Sequence, residues 1–338
     1  MVAMTSVERL RQYIEYGEQE PEWESADEDS HLASSWPTKG KIEIKNLKVR
    51  YRPGLPLVLK GIDIDILPRQ KVGILGRTGS GKSTLMLVLA RILEIEREEK
   101  STESPINQNS SLLSLREHDR FDEEGSWIKI DGVNISKLGL HTARRAVTIV
   151  PQDPFLLEGT LRSNLDPLDG FKTAELIQSL QKVEFFSTIK NEIMENLKKS
   201  LGLRPNAVLT DSQRLQLPIE KAGSNLSLGQ RQLICIARAL VNTPKILLMD
   251  EATASIDQKT DQIIQRVILN EMNETTILTI AHRIDTIIKY DKLVVLDNGR
   301  KAEEGSPGEL LEDEFGLFSG MVDDCGEEFR AQMIRALD

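Results

Sequence analysis

The sequence contains no apolar run long enough to cross a bilayer. Its nearest approach, LMLVLARIL from Leu85 to Leu93, is short and is interrupted by Arg91, against the roughly 18 to 20 consecutive apolar residues a spanning helix needs. A chain that does not itself span a membrane is therefore expected. A basic-then-apolar leader is also lacking, since MVAMTSVERL runs straight into a charged helical pattern, so no secretory signal is predicted. Cysteine is scarce. The two present, Cys235 inside an apolar helical run and Cys325 near the end, offer neither a disulfide framework nor metal-ligand spacing; they suit a reducing compartment and are expected to be inert. No long Lys/Arg block occurs, and the formal net charge of −10 speaks against a nucleic-acid partner, which ordinarily shows as a basic face or stripe. What remains is 338 residues with 39% apolar content, enough to bury a substantial core as one large domain with insertions or as two of ordinary size.

The strongest positive feature is GRTGSGKST, Gly76 to Thr84, placed directly after the apolar run KVGIL. The spacing GxxxxGK[ST] needs glycines so that successive backbone N–H groups can turn inward and cradle phosphate oxygens. Lys82 is then positioned to reach the β and γ phosphates and Ser83 to ligate Mg²⁺. The helix that follows adds its positive end. A second requirement of phosphoryl transfer is a carboxylate at the tip of a buried strand, and ILLMDEATAS supplies Asp250 followed by Glu251. Asp250 would hold Mg²⁺ through its water shell, whereas Glu251 would orient or deprotonate the attacking water. There is no second copy of the phosphate loop and no internal repeat.

Periodicity orders the rest. Residues 5–16 have helical apolar spacing and lead into the acidic, proline-containing stretch EQEPEWESADEDS, read as a helix followed by a linker. IEIKNLKVRY and LVLKGIDIDIL alternate as antiparallel strands with one buried face, KVGIL is the buried strand feeding the phosphate loop, and a helix is predicted from Lys82 to about Ile92. The segment from Glu94 to Gly125, rich in charge, Ser and Asn, reads as a mobile insertion with no chemistry attached. Strand patterns return at SWIKIDG and RAVTIVP, and residues 158–225 are helical in period with little strand signal. Beyond Asn225 helix and strand alternate: LGQRQLICIARAL, KILLMD, QKTDQIIQRVILNEM, TTILTIA and KLVVLDNG, which implies a largely parallel sheet with covered faces.

Three further segments make the chain resemble the nucleotide-binding domain of the ATP-binding cassette (ABC) family. NLSLGQRQL, Asn225 to Leu233, is similar to the signature motif LSGGQ, with Leu228 where the common motif has glycine. VPQDPFLLEGTLRSNLDP, Val150 to Pro167, carries the glutamine loop, and TIAHRIDTI, Thr279 to Ile287, carries the switch histidine. Order and spacing match over Ile42 to about Leu311. MTSVERLRQYIEYGEQEPEW resembles the linker ahead of the second nucleotide-binding domain in subfamily C, the multidrug-resistance-associated type. Retention of Glu251 also favours the second domain, because the first commonly lacks that glutamate.

The resemblance implies an α/β fold of the P-loop NTPase (ABC ATPase) kind, with a mostly parallel core sheet, an antiparallel β subdomain and an inserted helical subdomain. It implies a linker over 1–40 from an upstream transmembrane domain, a nucleotide-binding domain over 41–320 containing the 94–125 insertion and a 155–225 helical subdomain, and a C-terminal tail over 321–338. The extra residues around Leu201 to Leu217 depart from the usual pattern. ATP with Mg²⁺ is the implied ligand pair. Tyr51 would stack on adenine, and Gly76, Arg77, Thr78, Gly79, Ser80, Gly81, Lys82, Ser83 and Thr84 with Asp250 would hold the phosphates. Ser83, Gln152 and, through water, Asp250 would hold the metal, and Glu251, His282 and Gln152 would form the catalytic set. Ser227, Gly229 and Gln230 would reach ATP held by a facing module, and Ser255 to Asp257 would form the loop through which one module senses the other. Implied partners are a second nucleotide-binding domain and the transmembrane domains of a transporter on the cytosolic face of a membrane, driving ATPase-coupled transport. The competing expectation is a soluble ABC-type ATPase without a membrane partner, which usually carries two cassettes or long coiled arms and a basic surface.

Overall fold

The computed structural model describes residues 11, 20–25, 29, 32, 35–96, 125–250, 256–281 and 283–337. Apart from Arg11, the helix expected over 5–16 lies outside the described residues, as does most of the 94–125 insertion. The alternating runs form β1 (Ile42–Val49) and β2 (Leu59–Ile66), paired antiparallel with Ile42 opposite Ile66 and Val49 opposite Leu59. Their Ile42, Ile44, Ile62 and Ile64 are buried while intervening residues are not, as a period of two requires. Alternation is absent from β3 (Lys71–Gly76), which is buried on both faces. The phosphate loop follows it, then α1 (Lys82–Leu89).

Next come β4 (Trp127–Ile130), β5 (Val133–Asn134), α2 (Leu140–Arg145) and β6 (Thr148–Val150). A helical region spans β7 (Gly159–Thr160), α3 (Leu161–Leu165), α4 (Thr173–Lys182), α5 (Phe185–Thr188), α6 (Asn191–Ser200), α7 (Asp211–Arg214) and β8 (Pro218–Ile219). The antiparallel pair β7 and β8 closes it like a clasp. The chain then returns through α8 (Leu228–Asn242), β9 (Ile246–Asp250), α9 (Gln258–Asn270), β10 (Thr276–Ile280), α10 (Ile284–Ile287), β11 (Lys292–Asp297) and β12 (Arg300–Gly305). It finishes in α11 (Pro307–Glu312), α12 (Leu317–Asp323) and α13 (Glu327–Leu337).

The central six-stranded sheet runs β12-β11-β3-β10-β9-β6, parallel except for β12. A separate four-stranded antiparallel sheet runs β2-β1-β4-β5. Alternate side chains of the central strands enter opposite cores. Val72, Ile74, Leu248, Leu278 and Ile280 join β1, β2 and α1 on one face, whereas Leu75, Leu247, Met249 and Ile277 join α4, α8 and α9 on the other. Each fully buried Ile or Leu contributes about 1.5–3 kcal/mol of transfer free energy, so one strand stabilises both layers at once.

The structure shortens the helix after the phosphate loop. It ends at Leu89 and not near Ile92, because Arg91 turns into the left-handed region at φ +52. There its buried guanidinium donates to the carbonyls of Ile135 and Leu138 at 2.7 and 2.8 Å and pairs with Glu94. α9 likewise stops at Asn270, two residues before the predicted end at Met272. The edge strand β12 and the closing helices are additions to the sequence reading. KAEEG in β12 has no apolar alternation to read, and among the described residues it pairs only with β11. Within 321–338, α13 buries Met333 and ties Arg330 to Ser319 and Asp323 at 2.8 and 2.7 Å. Residues 20–25 lie along α2, where Leu140 and His141 N–H donate to the Glu22 and Trp23 carbonyls and Arg144 pairs with Glu20.

Candidate functional site

The turn between β3 and α1 is held open by backbone geometry. Gly76, Gly79 and Gly81 have φ of +145, +83 and +104. A Cβ on Gly76 would lie 2.2 Å from the Leu296 carbonyl oxygen, and one on Gly81 2.5 Å from Leu59 Cδ2, so glycine is required at both on conformation and on space. Gly81 is the N-cap of α1 and provides no side-chain cap, and the first turn carries no acidic residue. The N–H donors at the start of the helix thus receive no cap from the Gly81 side, and no carboxylate within the first turn offsets its positive end. The Lys82 ammonium, on a largely buried residue, folds back to donate to the carbonyls of Gly76 at 2.8 Å and Arg77 at 3.1 Å. Ser80 is buried, and its hydroxyl has no hydrogen-bond partner among the described residues. Arg77, Thr78, Gly79 and Ser83 are exposed along the loop.

The parallel register brings other strand ends to the same edge. Leu296 pairs with Gly76, Ile74 with Ile280, Ile280 with Asp250, and Met249 with Val150. Asp250, the last residue of β9, and exposed Gln152, just past β6, thus stand with the phosphate loop at the carboxyl end of the sheet, where ligands of open α/β sheets bind. Glu251 and His282, together with Ser255, lie outside the described residues. The positions flanking His282 are held: Ala281 N–H donates to the Ile74 carbonyl at 3.2 Å, and the Arg283 guanidinium grips Asp285 at 2.7 Å and reaches Asp261 at 3.5 Å.

Tyr51 sits just past β1 with about half of its surface exposed (49%), its hydroxyl 3.1 Å from Thr84 Oγ1 of α1. An aromatic face is thus tethered beside the phosphate-loop helix.

The signature segment opens α8 and forms a capping box. Ser227 Oγ accepts from Gln230 N–H at 3.2 Å, and Gln230 Oε1 accepts from Ser227 N–H at 2.9 Å. Gln230 Nε2 also donates to the Thr188 carbonyl at 2.6 Å, tying α8 to α5. Gly229 faces α9, where a Cβ would meet Thr260 at 3.1 Å and Asp257 Oδ2 at 3.3 Å. Asp257 caps α9, and the backbone N–H of Thr260, then its hydroxyl, hold the Asp257 carboxyl below the usual carboxylate range. Cys235, further along α8, is buried, and burial pushes its thiol up, which agrees with an inert role.

The structure adds Gln232, whose amide on the buried face of α8 reaches the Pro151 carbonyl at 3.5 Å, just before Gln152. An amide among apolar helix residues is the only sequence signal for it. Among the described residues no group of three or more His, Cys, Asp or Glu side chains is placed to hold a metal alone. A hydroxyl, an amide and one carboxylate suit a cation that keeps several waters and takes phosphate oxygens as further ligands, which is the habit of Mg²⁺. Together with the bare helix end, the orphan Ser80 hydroxyl and the Lys82 amine, this edge fits a polyphosphate with its magnesium. Among the described residues no helix is long and apolar enough to cross a membrane.

A sequence-family profile described as "ABC transporter" matches residues 59–254. The chain is 42% identical over 326 residues to the ABC transporter ATP-binding protein/permease VMR1 of Saccharomyces cerevisiae, a match covering 96% of this chain and 18% of that protein. It is 41% identical over 309 residues to the ATP-binding cassette sub-family C member 2 of Homo sapiens, covering 91% of this chain and 17% of the relative. The chain thus spans less than a fifth of the length of these relatives. Among solved structures, a bacterial Atm1-family ABC exporter with ATP bound is similar at a TM-score of 0.65 and 26% identity, over 86% of this chain and 42% of that one.

Proposed function

The chain belongs to the ABC transporter family, and from that premise we propose that it is the ATP-binding and ATP-hydrolysing module of a membrane transporter, working by head-to-tail closure on a second nucleotide-binding module. The observation that supports this most is the meeting of an uncapped helix terminus, Lys82, Asp250 and Gln152 at one sheet edge. The printed name of the yeast relative, transporter and permease, favours a membrane partner over a soluble ATPase; in this reading the module works on the cytosolic face of that membrane.

In this reading ATP stacks its base on Tyr51, and its phosphates lie against the loop from Gly76 to Thr84. Lys82 leaves the Gly76 and Arg77 carbonyls for the β and γ phosphates. A unit-charge contact at about 4 Å is worth around 4 kcal/mol at an effective dielectric near 20, before desolvation is subtracted. Ser83, Gln152 and Asp250 would hold Mg²⁺, and the ion when bound would neutralise charge on the phosphate oxygens. Glu251 accepts the proton of the attacking water, and His282 fixes the γ-phosphate against it. The facing module offers its counterparts of Ser227, Gly229 and Gln230. The Ser227 hydroxyl can do this without abandoning its helix, since it accepts from Gln230 and keeps its own proton to donate.

Lys82→Ala should weaken nucleotide binding and abolish hydrolysis, measured by titration calorimetry and phosphate release with a competent partner module present; wild-type affinity and turnover would overturn the assignment. Glu251→Gln should retain ATP binding, arrest hydrolysis and let the closed pair accumulate. Steady-state turnover at the wild-type rate would remove Glu251 from the catalytic set.

A further inference from the structure

Tyr51 is tethered twice. Its hydroxyl meets Thr84, and its chain neighbour Arg50 forms the second anchor. Arg50 Nη1 donates to the Leu55 carbonyl at 2.8 Å, closing the turn that follows β1, and Arg50 Nε donates to Glu96 Oε2 at 2.7 Å. The backbone N–H of Glu96 in turn donates to the Lys48 carbonyl at 2.9 Å, so the segment leaving α1 is stitched to the end of β1. The two side chains are only 28% and 30% exposed, which shields the pair from solvent and holds its geometry.

We propose that Arg50 and Glu96 are positioning residues for the nucleobase: their ion pair fixes the turn that presents the Tyr51 ring, so the base-dependent part of nucleotide affinity depends on it. The proposal rests on the reading of Tyr51 as the adenine platform. The physical reason is preorganisation. A ring already held in place loses little conformational freedom when a base arrives, whereas a ring on an open turn must be ordered at the expense of affinity. Without the guanidinium the Leu55 carbonyl loses its side-chain donor, and the turn keeps only its backbone bonds, Leu55 N–H to the Arg52 carbonyl at 3.1 Å and Val58 N–H to the Val49 carbonyl at 2.8 Å. The ring then rests on the Thr84 hydroxyl and a less constrained turn. An ion pair serving stability alone would act on every ligand alike.

The test uses the full chain and two probes, Mg-ATP and magnesium tripolyphosphate, titrated by calorimetry after thermal melts establish that each variant is folded. Tripolyphosphate carries no base, so the ratio of the two affinities isolates the contribution of the ring. Tyr51→Ala should lower that ratio about tenfold, from loss of the stacking surface. Arg50→Ala and Glu96→Ala should lower it about three- to fivefold, the effect of one partly shielded ion pair and its turn, with the double variant no worse than Arg50→Ala. The conservative Glu96→Gln, which keeps an acceptor for Arg50, should restore part of the ratio. If Tyr51→Ala lowers the ratio but the Arg50 and Glu96 variants leave it at the wild-type value, the positioning role is wrong and the adenine reading stands. If Tyr51→Ala leaves the ratio unchanged, the adenine reading itself fails. Equal weakening of both probes by Arg50→Ala and Glu96→Ala overturns the proposal in favour of general destabilisation.

Discussion

Two helix N-termini in this molecule meet the same physical problem in opposite ways. The phosphate-loop helix α1 starts from Gly81 in a left-handed conformation with no side-chain cap, whereas α8 starts from Ser227 in an extended conformation with a reciprocal cap from Gln230. Both leave N–H groups beyond the reach of intrahelical carbonyls. At α8 the Ser227 hydroxyl satisfies one of those donors, the Gln230 N–H; at α1 no side chain caps them, and Lys82 rests on the carbonyls of its own loop. The contrast teaches where each half of the proposed site gets its rigidity. In the proposed function the phosphate loop is a cradle that an anion would complete, and the signature end is a capped helix that would add one hydroxyl to a neighbour's ligand.

The sharpest way to break this contrast is to fill the cradle. In Gly76→Ala a Cβ would collide with the Leu296 backbone carbonyl at a φ of +145, so a loss of about 3 kcal/mol or more is expected from combined strain and overlap. A denaturant midpoint equal to wild type would show that the loop is not tightly built. Ser227 allows the two roles of a cap to be separated. Ser227→Ala should lose about 1 kcal/mol of stability, while Ser227→Asn keeps a capping side chain and should stay within a few tenths. Both should lower hydrolysis in the presence of the partner module, since neither carries the hydroxyl. Normal partner-dependent turnover in the Asn variant would confine Ser227 to capping.

Gly229→Ala is expected to act on stability alone, with a modest net effect. Helix propensity would gain about 0.8–1 kcal/mol, but the new methyl would press on Thr260, which cannot yield because its hydroxyl is bound to Asp257 at 2.8 Å. Crowding of this kind costs about 1–3 kcal/mol, leaving a net loss near 1 kcal/mol. A thermal midpoint at or above the wild-type value would place the need for glycine elsewhere than in the α8 and α9 packing.

Local chemistry made much of this legible in advance. KVGIL followed by GRTGSGKST could be read as strand, loop and helix because apolar continuity, glycine and lysine each constrain the backbone within a few residues. The capping pattern from Ser227 to Gln230 is equally local. Arg91 escaped, since its departure from helix is rewarded only by carbonyls of Ile135 and Leu138, far along the chain. β12 escaped for a related reason: a polar edge strand carries no apolar alternation, and only its pairing with β11 makes it a strand. Arg50 and Glu96 belong to no motif, and their partnership exists because β1 and the segment leaving α1 run side by side.

By itself, then, the sequence determined the family, most of the core elements and the bend of the phosphate loop, because glycine conformations, capping side chains and apolar periods act over one or two turns of chain. Which strand ends share an edge was decided by the tertiary structure alone. Gly76, Gln152 and Asp250 are far apart in sequence and become neighbours only through the register of parallel hydrogen bonding between β3, β10, β9 and β6. That register is set by two buried cores pressing on opposite faces of the sheet, an effect of the whole chain that no local pattern encodes.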